Sequence, residues 1–184
     1  MSFFDKNFLG LSGSRLNVKT MSDDEALQNP VFASGRARSR ILAIAFVFYV
    51  IGSLFLIPIL TGKGIYSLFD DGYSAVQAMA ISVAGWVFLY DGHYNMSTFI
   101  CSLEGLFRFY TLYMLAAENE VGFLDVAAAN PPLAVLLLGG SIFCFILAMS
   151  VQLDPNIRCF GDKMRSFTEK VNEDKEERRA GRRL

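Results

Sequence analysis

Two charged side chains interrupt an otherwise apolar stretch near the middle of the sequence, FICSLEGLFRFYTLYMLAA at positions 99–117. Glu104 and Arg108 stand four residues apart, so on a helix they share one face in the orientation that favours an ion pair. A single charge at the centre of a membrane-spanning helix costs about 2.5–3.5 kcal/mol on insertion scales. We therefore predict that the two residues form an intramembrane ion pair and face the interior of a helix bundle.

Two roles fit such a pair. It can be a structural ion pair that fixes the register of the helices, or a site for a proton, an ion, a lipid headgroup or a polar ligand. The apolar runs hold no second acidic residue, and the two halves of the chain show no repeat of the kind found in transporters, which favours the structural role. The polar groups available to meet the pair are Tyr49, Gln77, Tyr110, Tyr113 and Ser141.

The other reactive side chains give weaker signals. The single histidine, His93, has only Asp91 nearby in sequence, which is too few ligands for a metal site, so we expect an exposed turn and no metal. No nucleophile motif or pair of carboxylates appears, so we predict no catalytic residue, no enzyme activity and no cofactor, and no cofactor-binding residue can be assigned. A net charge of −1 gives no general attraction for nucleic acid.

The three cysteines predict no disulfide framework. Cys101 and Cys144 lie within apolar runs, where an unpaired cysteine is typically a small apolar side chain. Cys159 follows the last apolar run, and a cysteine in that position is either a candidate for S-palmitoylation or an inert thiol.

Four apolar runs must position these residues. The chain is 53% hydrophobic with a mean hydropathy of +0.36, and about 20 residues of helix are enough to cross the hydrocarbon layer. We predict an all-α, multi-pass membrane protein whose bundle occupies residues 41–153. Its four transmembrane helices are expected at residues 41–60, 73–90, 96–117 and 132–153.

The distribution of charge predicts the orientation of these helices. Residues 1–40 hold six Lys and Arg, and the tail from Asn156 holds nine, whereas the connection from Glu118 to Pro131 holds none. Since basic residues flank the cytoplasmic side, we expect an M-shaped topology with both termini in the cytoplasm. The glycosylation sequon at Asn95 then lies on a cytoplasmic turn and is a chance match.

The two ends differ in pattern. Residues 1–40 have no sustained period and are predicted to be an extended cytoplasmic arm. In the tail, residues 154–184, four apolar side chains recur at helical spacing and predict an amphipathic helix. These are Phe160, Met164, Phe167 and Val171, called here the tail stripe. The stripe can lie along the membrane surface or pack on a partner protein, and the alternative is a plain solvated tail.

The stretch GWVFLYDGHYNMSTFICSLEGLFRFYTLYMLAA resembles the middle of the COPI-associated vesicle membrane proteins. The pattern of that family's third span is matched by Gly105, Arg108, Phe109 and Tyr110. Asp91 approximates the acidic residue at the end of the family's second span. The resemblance implies four short spans, cytoplasmic ends and a role in Golgi or vesicle membranes. MARVEL-type vesicle proteins share with this chain only the predicted M-shaped topology.

Two classes of function follow. The first is a non-enzymatic membrane organiser or trafficking accessory. The alternative is an accessory subunit of a larger respiratory, photosynthetic or secretion complex, which the 17 phenylalanines and the long ends suit. A small transporter or channel is third. In each case the expected partners are the lipid bilayer and other membrane proteins, with no nucleic acid.

Overall fold

The computed structural model describes residues 14–62, 72–118, 120 and 122–181 of the chain. Every regular element in these residues is a helix, so the all-α prediction is confirmed for the described part. The helices are α1 (Ser14–Gln28), α2 (Pro30–Leu60), α3 (Gly72–Tyr90), α4 (Tyr94–Glu118), α5 (Phe123–Ala129), α6 (Pro131–Leu153) and α7 (Pro155–Gly181). Helix α6 contains one π-helical turn, Val135–Gly139.

Three of these helices, α2, α4 and α6, are long and apolar enough to cross a membrane. In α3 the part whose side chains the structure describes, Val76–Tyr90, is also apolar but shorter than these three helices. Large apolar side chains stand exposed on the outer faces of all four, among them Phe48, Val83 and Ile146. So much exposed apolar surface is typical of a chain that lies in lipid.

The four helices lie side by side, with α3 packed along α2 and α6 along α4. At one end the Ser39 hydroxyl of α2 donates to the carbonyl of Leu89 in α3. At the other end the side-chain amide of Asn130, just before α6, donates to the carbonyl of Leu60, 2.7 Å away. Between these levels the core is built from buried side chains such as Phe46 of α2.

The start of α2 differs from the sequence prediction. Residues 30–40 are helical rather than extended, and α1 adds a second helix before them, so the extended arm was wrong for residues 14–40. The side chain of Asn29 accepts hydrogen bonds from the backbone N–H groups of Val31 and Phe32, and Pro30 occupies the first helical turn. These features start a helix without apolar periodicity. Residues 1–13 lie outside the described residues.

The tail is helical as predicted, but the partner of its stripe is the chain itself. Phe160 and Phe167 are buried, and both rings pack edge-on against Phe32 of α2, with centroids 5.3 and 6.2 Å away. Val171 is also buried and Met164 is half-buried against the same cluster. A stripe turned toward lipid headgroups or another protein was therefore the wrong expectation. We call α1, residues 30–40 of α2 and α7 together the terminal cap.

Polar contacts at the edge of the terminal cap hold α7 in place. Lys163 pairs with Glu25 of α1 at 3.2 Å, and the hydrogen bonds from Asn29 and Lys163 hold the pKa of Glu25 below its usual value. Where α7 begins, Asp154 pairs with Arg38 at 2.7 Å and accepts the backbone N–H of Asn156 at 2.8 Å. That side chain therefore caps α7 and ties it to α2 at once.

Two glycines allow the cap to sit directly on the turn between α3 and α4. Gly92 adopts a φ of +79°, which L side chains rarely do, and it ends α3 in a tight turn. A Cβ on Gly161 of α7 would overlap the carbonyl oxygen of Gly92 and come within 2.7 Å of the Tyr94 ring. The Tyr94 hydroxyl donates to Asp162 at 3.1 Å across the same contact.

Truncation of Phe32 should open the terminal cap. Phe32 is fully buried, and Phe32→Ala should cost about 3–5 kcal/mol of cap stability, as large-to-small changes in cores do. Hydrogen exchange in lipid nanodiscs should show loss of protection across α7. The matched control is Phe48→Ala on the same helix, where the ring is 75% exposed and α7 should stay protected. Unchanged α7 protection in Phe32→Ala would mean that this ring does not hold the cap together.

Candidate functional site: a buried ion pair inside the bundle

Helix α4 brings the two charged residues of the opening stretch into direct contact. The Arg108 Nε donates to Glu104 Oε1 at 2.6 Å, and Arg108 Nη2 contacts the same oxygen. The side chains are 11% and 3% exposed, respectively. The i, i+4 spacing accounts for this geometry, since it stacks the two side chains on one face of the helix.

The pair faces α2 and α6 rather than the surface. The Arg108 guanidinium carbon lies 5.6 Å from the centre of the Tyr49 ring of α2, within the range of a cation–π contact. On the α6 side, Gly105 sits so close that an added Cβ would be 3.2 Å from the carbonyl oxygen of Ser141. The lack of a side chain at this position lets α4 and α6 approach closely beside the charges.

The irregular turn of α6 lies at the same level. The Tyr49 hydroxyl donates to the carbonyl of Leu136, within the π-helical turn, at 3.4 Å. A Cβ on Gly140, directly after that turn, would overlap the Tyr49 hydroxyl. Single π turns inside α-helices occur frequently at functional sites. Here the turn and Gly140 accommodate Tyr49, which connects α6 to the Arg108 side of the ion pair.

The position of the pair along α4 puts it near the centre of the bundle. At 1.5 Å per residue, Glu104 lies roughly 15 Å from the start of α4 and Arg108 roughly 6 Å further. The helix is 25 residues long, so both charges are far from either end. Two of the polar residues predicted to meet the pair, Tyr49 and Ser141, line this region. Tyr110 and Tyr113 instead lie on the surface, 56% and 58% exposed.

The chemistry open to this arrangement is mainly electrostatic. Each charge neutralises the other, and the Tyr49 ring face adds a favourable contact to the cation. Neither of the two surface grooves at the junction of α6 and α7 includes Glu104 or Arg108. The ion pair itself contacts α2 through Tyr49, and α6 packs against the neighbouring Gly105.

The remaining candidate residues lie elsewhere. His93 is exposed in the turn, with its ring edge-on to Phe88 at 5.9 Å, and no group of three or more metal-ligating side chains occurs among the residues that the structure describes. Cys101 and Cys144 are buried, unpaired thiols in the core. Cys159 is a half-buried thiol on α7 and lines a surface groove.

The sequon at Asn95 lies at the start of α4. Asn95 is exposed, but Ser97 is buried and its hydroxyl donates to the carbonyl of His93 at 2.9 Å. The serine of the sequon is therefore already part of the helix start.

Sequence reasoning missed the polar contacts between helices. Thr98 of α4 lies within hydrogen-bond distance of Gln152 of α6, at 3.4 Å, and Ser39 bonds the end of α3. The available signal was a polar residue inside or beside an apolar run, because small hydroxyl and amide side chains commonly join helices in membranes.

Comparison of the chain with protein-family models, curated proteins and solved structures gives no match.

Removing both members of the ion pair should cost less than the sum of the two single removals. Glu104→Gln or Arg108→Gln leaves one uncompensated buried charge, and each should lower the free energy of unfolding by about 3–5 kcal/mol. The double variant should lose clearly less than the sum of the two, because no charge is left alone. The measurement is a double-mutant cycle on unfolding in nanodiscs.

The matched control is the pair Arg165 and Glu169 on α7, which has the same four-residue spacing but is 78% and 59% exposed. Its coupling should be only about 0.3–0.5 kcal/mol. Strictly additive losses at Glu104 and Arg108, or a coupling no larger than the control's, would show that the internal pair is not a structural unit.

Proposed function

We propose that this protein is a non-enzymatic, four-span membrane organiser with both termini in the cytoplasm. The observation that carries the proposal is the packing of α1 and α7 against the start of α2, which forms a helical cap on a bundle with apolar outer faces. In such a molecule the apolar outer faces of the bundle contact lipid, and the charged surface of the terminal cap faces the cytoplasm. Both surfaces act by binding neighbours rather than by transforming a substrate.

The packing of α3 supports counting it as the fourth span. Helix α3 runs antiparallel to α2, from the far end of the bundle to the level of Leu89, which lies beside Ser39. Its 19 residues correspond to roughly 28 Å, close to the ~30 Å hydrocarbon thickness. Met79 and Val83 on its outer face are each 63% exposed, as expected for side chains in lipid.

Aromatic side chains support a membrane boundary at the cap end of the bundle. The rings of Trp86 and Tyr90 stack with centroids 5.4 Å apart. Arg40 places its guanidinium carbon 4.4 Å from the centre of the Tyr90 ring. Trp, Tyr and a long basic side chain are enriched where the hydrocarbon meets the headgroups. From the level of Arg40, the next 20 residues of α2 reach Leu60, roughly 30 Å away, which is about the thickness of the hydrocarbon layer.

The basic residues of the terminal cap support a cytoplasmic location for both ends. The N-terminal part of α2, just before it enters the bundle, carries Arg36, Arg38 and Arg40. Helix α7 carries further basic residues on its exposed face. By the positive-inside rule this side faces the cytoplasm. The resemblance of the central stretch to the COPI-associated proteins is the basis for proposing a Golgi or vesicle membrane.

The topology can be tested with tags in sealed vesicles. A short epitope at either terminus should be removed by added protease when the cytoplasmic face is outward. A tag inserted in the connection between α2 and α3 should be protected until detergent is added. The connection between α4 and α6 supplies a second protected site. Termini on opposite faces would require an odd number of spans and would exclude this arrangement.

An accessory-subunit role has one specific observation in its favour. The outer face of α4 is rich in exposed aromatic rings, including Phe99, Phe109, Tyr110 and Tyr113. Aromatic surfaces of this kind are enriched at protein–protein interfaces. The terminal cap argues for the organiser instead, since the tail stripe that a partner would bind is already buried within the chain.

Native size after extraction in a mild detergent should separate the two roles. The organiser is expected as a monomer or small oligomer, whereas a subunit should migrate with a large and stable complex. Replacing Phe99 and Phe109 by Leu keeps the surface apolar while removing the rings, and should leave the organiser's size unchanged. A large complex that is lost in this variant would establish the subunit role.

A further inference from the structure

An open groove follows the outer face of α6 on the side where the terminal cap sits. It has a volume of about 700 Å³ and is lined along α6 by apolar side chains that include Ile142, Ile146 and Met149. The end of the groove beside the terminal cap is lined by Arg38 of α2 and by Asp154 at the start of α7. The groove is therefore apolar along its length and charged at its mouth.

A second groove of about 700 Å³ adjoins the first, because Leu153 and Pro155 line both. It continues over the beginning of α7 and is lined by polar side chains, among them Arg158, Asp162 and Lys163. The two grooves form one amphipathic surface that passes from the lipid-facing side of α6 onto the cap. We call it the junction groove.

The length of the apolar part matches one leaflet of a bilayer. From Ile142 to Leu153 helix α6 rises roughly 17 Å at 1.5 Å per residue. Half of a hydrocarbon layer that is ~30 Å thick is about the same distance. An acyl chain that lies along this face would therefore reach from the bilayer centre to the headgroup region where Arg38 stands.

The charges at the mouth favour an anionic headgroup. Of the two acidic side chains there, Asp154 is neutralised by its pair with Arg38 at 2.7 Å, and Asp162 keeps its charge but accepts the Tyr94 hydroxyl at 3.1 Å. Arg38 remains 55% exposed beyond its pair. Arg158 is exposed, its guanidinium carbon lies 5.9 Å from the centre of the Tyr94 ring, and it forms no ion pair among the described residues.

We propose that the junction groove binds one phospholipid with an anionic headgroup, drawn from the leaflet on the side of the terminal cap. Its acyl chain lies along Ile142, Ile146 and Met149. Its phosphate, whose negative charge no choline group offsets, is held by Arg38 and Arg158. Arginine forms charge-assisted hydrogen bonds to phosphate with a fixed fork geometry, which suits this role. The inference rests on the proposed membrane-spanning arrangement, and it adds a specific lipid as a ligand of the organiser.

The test uses native mass spectrometry of the full chain in mild detergent. Phosphatidylglycerol and phosphatidylcholine with identical acyl chains are offered at equal concentration. The chain should retain one phosphatidylglycerol with a preference of roughly thirtyfold, the scale set by two arginines near a headgroup. Equal retention of the two lipids would overturn the proposal.

Headgroup variants test the two arginines. Arg38→Gln combined with Arg158→Gln should lower phosphatidylglycerol retention to the level of phosphatidylcholine. The matched control is Arg165→Gln on the same helix α7, where the side chain is 78% exposed and lies outside the junction groove. An equal loss in the control would show diffuse attraction to the cap rather than a site.

Acyl-chain variants test the apolar part and need no change in charge. Ile146→Trp fills the groove and should reduce retention of both lipids severalfold. Val83→Trp places the same ring on the lipid face of α3, where the replaced side chain is similarly exposed, and should leave retention unchanged. A change of oligomeric state in Ile146→Trp, with lipid retention intact, would show that a second protein chain occupies the groove.

Failure of this proposal and failure of the proposed topology can be told apart. Native mass spectrometry does not depend on which side of the membrane the cap faces. Selective lipid retention, together with tags that place the termini on the non-cytoplasmic side, would therefore contradict the topology alone. Conversely, protected and cleaved tags in the expected pattern, with no selective lipid, would contradict the junction groove alone.

Discussion

The continuity of α2 is the constraint on which the other parts depend. An α-helix satisfies its own backbone hydrogen bonds, so it can leave a hydrocarbon layer without a break. At 31 residues α2 is roughly 46 Å long, well beyond the ~30 Å of that layer. Its first turns therefore hold Phe32 in the terminal cap while its later turns hold Phe46 and Tyr49 in the bundle. Since one rigid rod carries both sets, the cap is fixed in its rotation and height relative to the core.

Sequence patterns predicted the parts of the fold that depend on local spacing. The apolar runs locate α3, α4 and α6 to within two residues at each end, because burial in lipid requires an unbroken apolar stretch. The four-residue spacing of Glu104 and Arg108 predicted their contact, since both lie on one helix. The tail stripe was likewise visible as a helical period.

Contacts between distant segments were not available from those patterns. The tail stripe packs on Phe32, well over 100 residues earlier, and its spacing specifies an apolar face without specifying the surface that covers it. The helical start of α2 was missed because residues 30–40 show no sustained apolar period, and the helix begins there at the Asn29 cap. The position of Tyr49 beside Arg108 depends on how α2 and α4 are placed in three dimensions.

The composition of the terminal cap from the first and last helices has a consequence for biogenesis. Ribosomes add roughly 5–20 residues per second, so α7 emerges on the order of ten seconds after α1. During that interval the bundle can insert, but Phe32 and the apolar side of α1 have no Phe160 or Phe167 to cover them. A chain that terminates before α7 leaves this surface uncovered. The cap therefore closes only after α7 has been synthesised, and until then the chain exposes apolar surface of the kind that promotes aggregation.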